Sequence, residues 1–215
     1  KGYTEIVRML LAAGADVNAT ITSGALYVAS IWGHTEIVRM LLAAGADDVE
    51  AKVKFSGDTI LILASQEGHT EVVAQLLAAG ANVNATSDDG TTALISASNN
   101  GHTEVVAHLL AAGANVDAKD KNGATALNRA SIMRHTKIME MLTDRIQTKQ
   151  KKNDALNQIV TRTPHIPSLR ALAKRQVSTK ELSDLSELDL SNHGGKRKTR
   201  RAKKSKRKTR KTHRK

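Results

Sequence analysis

The sequence predicts an all-α solenoid, in which pairs of short helices stack side by side along the chain. A 15-residue phrase rich in Leu and Ala occurs four times, starting at Gly2, Gly33, Gly68 and Gly101. Repetition with a period near 33 residues is typical of stacked repeat proteins. Within each copy the apolar residues recur at helical spacing, as in Ile37-Val38 and Leu41-Leu42, so each copy has one apolar face.

Each repeat is predicted to contain two helices. The first contains Leu26 and Ala29, or their equivalents, and ends at a glycine because Gly adopts the left-handed conformation at low cost. The second begins at a Thr and has a Glu in its first turn in three copies, where a negative charge is favourable to the helix dipole. The predicted starts are Thr35, Thr70, Thr103 and Thr136, and the predicted ends are Gly45, Gly80 and Gly113. Neither helix can bury its apolar face alone, so stacking of neighbouring repeats has to supply the core.

The connecting loops vary in length while the helical parts keep their spacing. The distance from the last glycine of one copy to the repeated Ala of the next is 15, 19, 17 and 17 residues. The shortened loop is Asp16–Gly24, and the lengthened loop is Asp47–Asp58, which carries Lys52, Lys54 and Phe55. Insertions in repeat proteins often map to the binding face. Sequence drift in a decaying repeat is the alternative interpretation.

The repeated phrases carry a family resemblance. Thr92 to Ala97 reads Thr-Ala-Leu-Ile-Ser-Ala, which resembles the Thr-Pro-Leu-His-x-Ala of the ankyrin repeat, although all four copies lack its Pro and His. The resemblance covers about residues 1–146 and implies an ankyrin-like solenoid with projecting hairpin loops, which binds proteins without catalysis. It gives a partial first repeat, then repeats near 20–52, 53–86, 87–119 and a capping repeat at 120–146. The partial start indicates a fragment of a longer array with an exposed first helix.

Charge divides the chain in two. Residues 1–146 contain 11 Lys and Arg against 16 Asp and Glu, whereas residues 147–215 contain 22 against 5. The stretch 196–215 has 14 Lys or Arg in 20 residues and no Leu, Ile, Val or aromatic residue, so we expect it to be disordered. It also resembles basic tails of large DNA virus proteins. Its proposed binding residues are Lys196, Arg197, Lys198, Arg200, Arg201, Lys203, Lys204, Lys206, Arg207 and Lys208.

The basic tail has several interpretations. It is typical of a nuclear localisation signal read by an import receptor, of an arm that binds nucleic acid non-specifically, and of a segment that covers an acidic surface. A purely solubilising role is the remaining alternative. We expect the protein to be intracellular, with the nucleus slightly favoured over the cytoplasm.

Between the array and the tail, residues 147–195 are predicted to be a linker with short helices. Pro164 and Pro167 interrupt it, and Ser178 with Glu181 forms a capping-box pattern before Leu-rich sequence. Its apolar stripe favours a helix that docks on the array, and a linear motif for a partner's groove is the alternative.

No residue pattern indicates catalysis. A column of histidines recurs at the start of the second helix, at His34, His69, His102 and His135. Equivalent residues of packed helices lie about 8–10 Å apart, too far for a shared zinc ion, so we interpret the column as structural. The chain has no Cys, no phosphate-binding loop and no nucleophile elbow. We therefore expect no enzyme, no cofactor and no metal.

The candidate binding residues lie where the copies differ. Two residues precede the glycine at the end of each first helix, and the resemblance places this edge on the concave groove. The predicted protein-binding set takes seven of these residues and adds Tyr27 and two residues of the lengthened loop: Tyr27, Ile31, Trp32, Lys54, Phe55, Gln66, Asn99, Asn100, Ile132 and Met133. Trp32, the single Trp of the chain, is either a binding anchor or a residue packed beneath the shortened loop. We expect a protein partner, no small-molecule substrate, no membrane-spanning segment and a monomer.

Overall fold

The computed structural model describes residues 2–19 and 24–162, and these residues form helices without any strand longer than an isolated bridge. The helices are α1 (Gly2–Ala12), α2 (Ala25–Ile31), α3 (Thr35–Ala43), α4 (Ile60–Gln66), α5 (Thr70–Ala78), α6 (Ala93–Asn100), α7 (Thr103–Ala111), α8 (Ala126–Ile132) and α9 (Thr136–Arg162). The chain divides into two compact units, residues 1–147 and 148–215. The repeats lie in the first unit, and the predicted all-α solenoid is confirmed.

The helices of the first unit form two rows. The inner row consists of α2, α4, α6 and α8, each packed on the next, and the outer row consists of α1, α3, α5 and α7. One continuous core cluster runs from Leu26 to Leu142, and it includes Ile138 and Leu142 from the start of α9. Its members are aliphatic, as the composition predicts, because the chain is only 2% aromatic.

Threonine hydroxyls start three of the inner helices. The side chains of Thr59, Thr92 and Thr125 each accept a hydrogen bond from the backbone N–H three residues later, at 3.3 Å. This satisfies one of the N–H groups that a helix start leaves without an intrahelical partner. Gly24 occupies the same position in α2 and has no side chain with which to cap it, so α2 begins without this contact.

A glycine and a histidine connect each repeat to the next. The rings of His69, His102 and His135 donate from Nε2 to a carbonyl of the preceding repeat, at 2.8, 2.8 and 3.1 Å, because a carbonyl can only accept. The same rings lie against Gly33, Gly68 and Gly101, where an added Cβ would come within 2.5–2.6 Å of a ring atom. The glycines therefore serve two purposes, since they adopt φ values of +68 to +82° and leave space for the ring.

The fourth member of this glycine series is Arg134, which adopts φ 60°. Its neighbours repeat the local pattern, since the His135 N–H donates to the Ala130 carbonyl at 2.9 Å just as His102 donates to Ala97. The described residues contain no histidine after His135 that could lie against this position, so a side chain fits where the other repeats need glycine.

The projecting loops form hairpins that stack on one another. Antiparallel bridges close two of them, Lys52 with Thr59 and Thr86 with Thr92. The Asp88 N–H donates to the Ser56 carbonyl of the preceding hairpin at 2.9 Å, and a 2.7 Å bond links the next pair in the same way. These bonds hold successive hairpins in a fixed order along the array.

The two additional residues of the lengthened loop lie in different places. Ala46 and Ala51 are equivalent to Ala81 and Ala85 of the next repeat. The first pair is five positions apart and the second pair is four positions apart, so one additional residue lies before the hairpin. The Ala51 N–H donates to the carbonyl of Asp48 in a turn that the other repeats also form. The second addition lies within the hairpin itself, which lengthens the segment that presents Phe55.

Helix α1 has an exposed apolar side. Tyr3, Ile6, Met9 and Leu10 are each about half exposed or more, in agreement with the expected exposed start. At the other end, α9 continues to Arg162 and so extends past residue 146, where the sequence analysis placed the start of a linker. The stretch 147–162 contains neither Gly nor Pro and is rich in Gln and Lys, which favour helix, and Pro164 follows shortly after it.

Candidate functional site

The candidate groove residues fall into three groups along the inner row. Trp32 is 70% exposed at the end of α2, and Ile132 and Met133 are 69% and 49% exposed at the end of α8. The residues between them, Gln66, Asn99 and Asn100, are polar. The inner row therefore presents a polar middle with an apolar position on each side of it.

Trp32 forms an apolar patch with Val28. The two residues are four apart, which places them on one helix face, and Val28 is 45% exposed. The high exposure of Trp32 disfavours the alternative in which it packs beneath the shortened loop. Ile31 and Tyr27 are only partly exposed, and Tyr27 packs against the core. They contribute less surface to a partner than their neighbours do.

Hydrogen bonds order the polar middle of the row. Asn99 Nδ2 donates to Asn100 Oδ1 at 3.1 Å, and Asn100 Nδ2 donates to the Gln66 carbonyl at 2.9 Å. That carbonyl also accepts the ring of His102, so the same histidine that connects two repeats fixes the end of α4. These amide side chains are thus held in place before any partner arrives.

A cleft of about 390 Å³ opens beside these amides, and we call it the Arg129 cleft. Three of its residues come from the predicted set, and four were not predicted. Its lining consists of Gln66, Thr91, Ile95, Ser96, Asn99, Asn100 and Arg129. Phe55 and Lys54 lie elsewhere, on the lengthened hairpin, where Phe55 is 91% exposed and Lys54 is also exposed.

Sequence reasoning missed the ion pair between Arg129, which lines this cleft, and Asp120. Arg129 donates from both Nε and Nη2 to Asp120 Oδ2, and the Nε bond is 3.1 Å long. The other carboxylate oxygen accepts the N–H groups of Asn122 and Ala124 at 2.9 Å. The hydrogen bonds from Arg129 and then from Ala124 hold the pKa of the Asp120 carboxyl below its usual value. Arg129 could have been found from its position, since the equivalent residues of the other repeats are uncharged.

The other groups with a shifted pKa lie in a hairpin turn and on the surface of α3. A hydrogen bond from Ser87 is the main cause of the lowered pKa of Asp89, which shapes the tip of a hairpin. On the outer surface, the hydrogen bond between Glu36 and Arg39 lowers the pKa of the first and raises that of the second. These groups stabilise local geometry and are not gathered in a cleft.

The described residues contain no group of three metal-ligating side chains that could hold an ion. Three members of the histidine column, His69, His102 and His135, instead contact backbone carbonyls, which agrees with the structural interpretation of the column. No helix in the described ranges has the length and apolar character needed to cross a bilayer. The basic tail residues, the two prolines and the capping-box pattern at residues 178–181 lie outside the described residues.

The fold and the inner-row surface define a class of repeat protein whose stacked helices present an extended binding face. The chain belongs to the ankyrin-repeat family: the family described as ankyrin repeats (3 copies) matches residues 1–87 and 61–154. Ankyrin repeats are protein–protein interaction modules, and the family is generally non-catalytic. The comparison with curated proteins finds no match.

Proposed function

We propose that this protein is a non-catalytic scaffold that captures a protein partner on the inner row of helices. The observation that carries the proposal is the exposure of Trp32, which lies beside Val28 and outside the core. A large aromatic side chain left in solvent at a groove position is typical of a binding anchor. Ile132 and Met133 supply a second apolar contact, and Phe55 supplies a third on the hairpin.

The exposed part of Trp32 is large enough to dominate an interface. Aromatic side chains bury up to about 250 Å² each, and burial contributes about 25 cal/mol per Å². Burying the exposed fraction of Trp32 is thus worth about 2–4 kcal/mol, and its loss corresponds to an affinity decrease of about 30-fold or more.

Affinity capture with the full chain tests the proposal, with Tyr3→Ala as the matched control for Trp32→Ala. Tyr3 is an aromatic residue of similar exposure, 72%, but it lies on α1 in the outer row. We expect Trp32→Ala to lose the captured partner, Tyr3→Ala to retain it, and both variants to keep the wild-type Tm. Equal loss in both variants, or destabilisation by Trp32→Ala without loss of partner, would refute the assignment.

We further propose that the basic tail directs the protein to the nucleus or binds an acidic partner. The density of Lys and Arg in residues 196–215 supports this role. A reporter fused to residues 196–215 is expected to enter the nucleus, and the full chain without them is expected to keep its captured partner. A tail-fused reporter that stays in the cytoplasm would argue against nuclear targeting.

Association with nucleic acid through the tail is the second candidate function, because 14 basic residues can neutralise many phosphates. Under it, the full chain binds bulk DNA or RNA with a steep dependence on salt, and removal of residues 196–215 abolishes that binding. Weak binding that is insensitive to salt would eliminate this candidate.

A further inference from the structure

We infer that the Arg129 cleft binds the carboxylate side chain of a Glu or Asp within an extended segment of the protein partner. The inference rests on the proposed function and specifies its ligand chemistry. Elsewhere the described inner row presents apolar and amide groups and the exposed carboxylate of Glu67, whereas Arg129 places a cationic group in this cleft. The equivalent positions carry Val28, Leu63 and Ser96, so this group is particular to the last repeat.

The guanidinium is fixed in position and keeps donors for a ligand. Its bonds to Asp120 use Nε and Nη2, and they leave Nη1 without an acceptor among the described residues. Asp120 is nearly fully buried, and each of its oxygens already accepts two donors. A carboxylate from a ligand would therefore find Arg129 Nη1 already oriented as a donor. The Asp120 carboxylate would not compete for that donor, because both of its oxygens already accept hydrogen bonds. A planar guanidinium also suits carboxylate recognition because its N–H donors are held in a fixed arrangement that matches the carboxylate oxygens.

The rest of the lining can complete the coordination of a carboxylate. Thr91 and Ser96 carry hydroxyls, and Asn99 and Gln66 carry amides that can donate. The bonds from Asn99 to Asn100 and from Asn100 to the backbone carbonyl of Gln66 restrict the two asparagine amides to one arrangement. Because their ordering precedes binding, little side-chain entropy remains to be lost. The carboxylate of Glu67 interacts with Gln66 Nε2 and is not part of the lining.

The dimensions favour one side chain with its adjoining backbone. A volume of about 390 Å³ lies near the lower end of ligand pockets, which span roughly 300–1,000 Å³. The inner row continues on both sides of the cleft, towards Trp32 and towards Ile132. A segment that contacts both apolar positions passes Gln66 and Asn99, which line the cleft, so we assign the carboxylate to a side chain within that segment.

The test uses the full chain, labelled with ¹⁵N, and three capped peptides as probes. Acetyl-Gly-Glu-Gly-amide carries a side-chain carboxylate, acetyl-Gly-Gln-Gly-amide is its neutral isostere, and acetyl-Gly-Gly-Gly with a free C-terminus carries a terminal carboxylate. We expect the Glu peptide to shift the side-chain resonances of Arg129 and Asn99 in a saturable manner. The Gln peptide is expected to bind about tenfold more weakly, since charge-assisted hydrogen bonds are the stronger ones. The peptide with the free C-terminus is expected to bind more weakly than the Glu peptide because its carboxylate ends the chain, whereas the proposed ligand is a side chain within a continuing segment.

Charge variants at one lining position provide a second, independent measurement. Asn99→Asp should weaken binding of the Glu peptide about tenfold, and Asn99→Lys should strengthen it, because the added charge lies beside the ligand. Asn82→Asp is the matched control, since Asn82 is exposed and its side-chain oxygen serves a turn that Asp can also form. Arg129→Gln should abolish binding, and the Asn99 pair keeps the test decisive if that variant unfolds.

Several results would overturn the inference. Glu-peptide shifts confined to the basic tail, equal binding of the Gln peptide, or preference for the free C-terminus would each do so. Equal effects of Asn99→Asp and Asn82→Asp would do so as well. These outcomes are distinct from failure of the proposed function, which is measured separately by loss of the protein partner in Trp32→Ala.

Discussion

Replacement of Gly68 by Ala should destabilise the array by much more than the same replacement at Gly80. Gly68 adopts φ +78°, and an added Cβ would lie 2.5 Å from Nδ1 and 2.6 Å from Cε1 of His102. These atoms belong to a ring that bonds the Gln66 carbonyl, so the ring has to move and release that bond. Gly80 adopts φ +93° with no atom within 4 Å of the added carbon.

The magnitudes follow from these two environments. Left-handed backbone costs a non-glycine residue about 1–2 kcal/mol, and both variants carry this strain. At Gly68, loss of the inter-repeat hydrogen bond adds about 1 kcal/mol, and displacement of the packed ring adds further cost. The gain from a less flexible unfolded chain is common to both positions. We therefore expect Gly68→Ala to exceed Gly80→Ala by about 1–2 kcal/mol in free energy of unfolding.

Urea denaturation of the full-length variants, followed by circular dichroism, measures this difference. A double-mutant cycle with His102→Ala isolates the contact, because Gly68→Ala should cost no more than Gly80→Ala once the ring is absent. Equal losses at Gly68 and Gly80, or an additive cycle, would refute the proposed contact between repeats.

Further substitutions test other parts of the structure. Arg134→Gly should raise the free energy of unfolding by up to about 1 kcal/mol in urea denaturation, because it removes a side chain from left-handed backbone. Ser98→Ala should stabilise by about 1 kcal/mol, since the buried hydroxyl has no partner among the described residues; a loss of stability would reveal one. Asp120→Asn should destabilise by about 2 kcal/mol at pH 7 because it removes the charge-assisted hydrogen bonds to Arg129, whose side chain is 30% exposed. The folded-state pKa of Asp120 is lowered, so its contribution is present above an unfolded pKa of about 3.9 and is lost as the pH falls through the folded value. The Tm values of this variant and the wild type should therefore converge in acid. A Tm difference that does not change with pH would contradict the proposed contribution of the Asp120 carboxylate.

Much of the helical frame could be predicted from local sequence. Each predicted start at Thr35, Thr70, Thr103 and Thr136 is the first residue of a helix, and the glycines that follow the inner helices adopt positive φ. These features depend on one or two residues and their immediate neighbours. The repetition then determines how the helices stack, because identical apolar faces pack in the same way.

The site was harder to predict because it depends on contacts between repeats. Trp32 could have been packed or exposed, and only the surrounding structure decides between these alternatives. The pair of Arg129 and Asp120 joins residues nine positions apart across a hairpin, and no single repeat phrase signals it. The length of α9 was underestimated because the repeat pattern ends near residue 146, although helix-favouring composition continues beyond it.

The contact between glycine and histidine gives the array a direction, with consequences for how such a chain can change in length. In each internal repeat the glycine contacts the histidine of the following repeat, and the histidine contacts the glycine of the preceding repeat. A duplicated internal unit therefore contains both residues that the contact needs. Gene duplication or engineering could therefore insert whole units between existing ones, and the new interfaces would form the same contact between glycine and histidine without further substitutions. A unit stacked on the repeat formed by α8 and the start of α9 would bring its histidine ring against the side chain of Arg134, and replacement of Arg134 by glycine would be the first step towards accepting it.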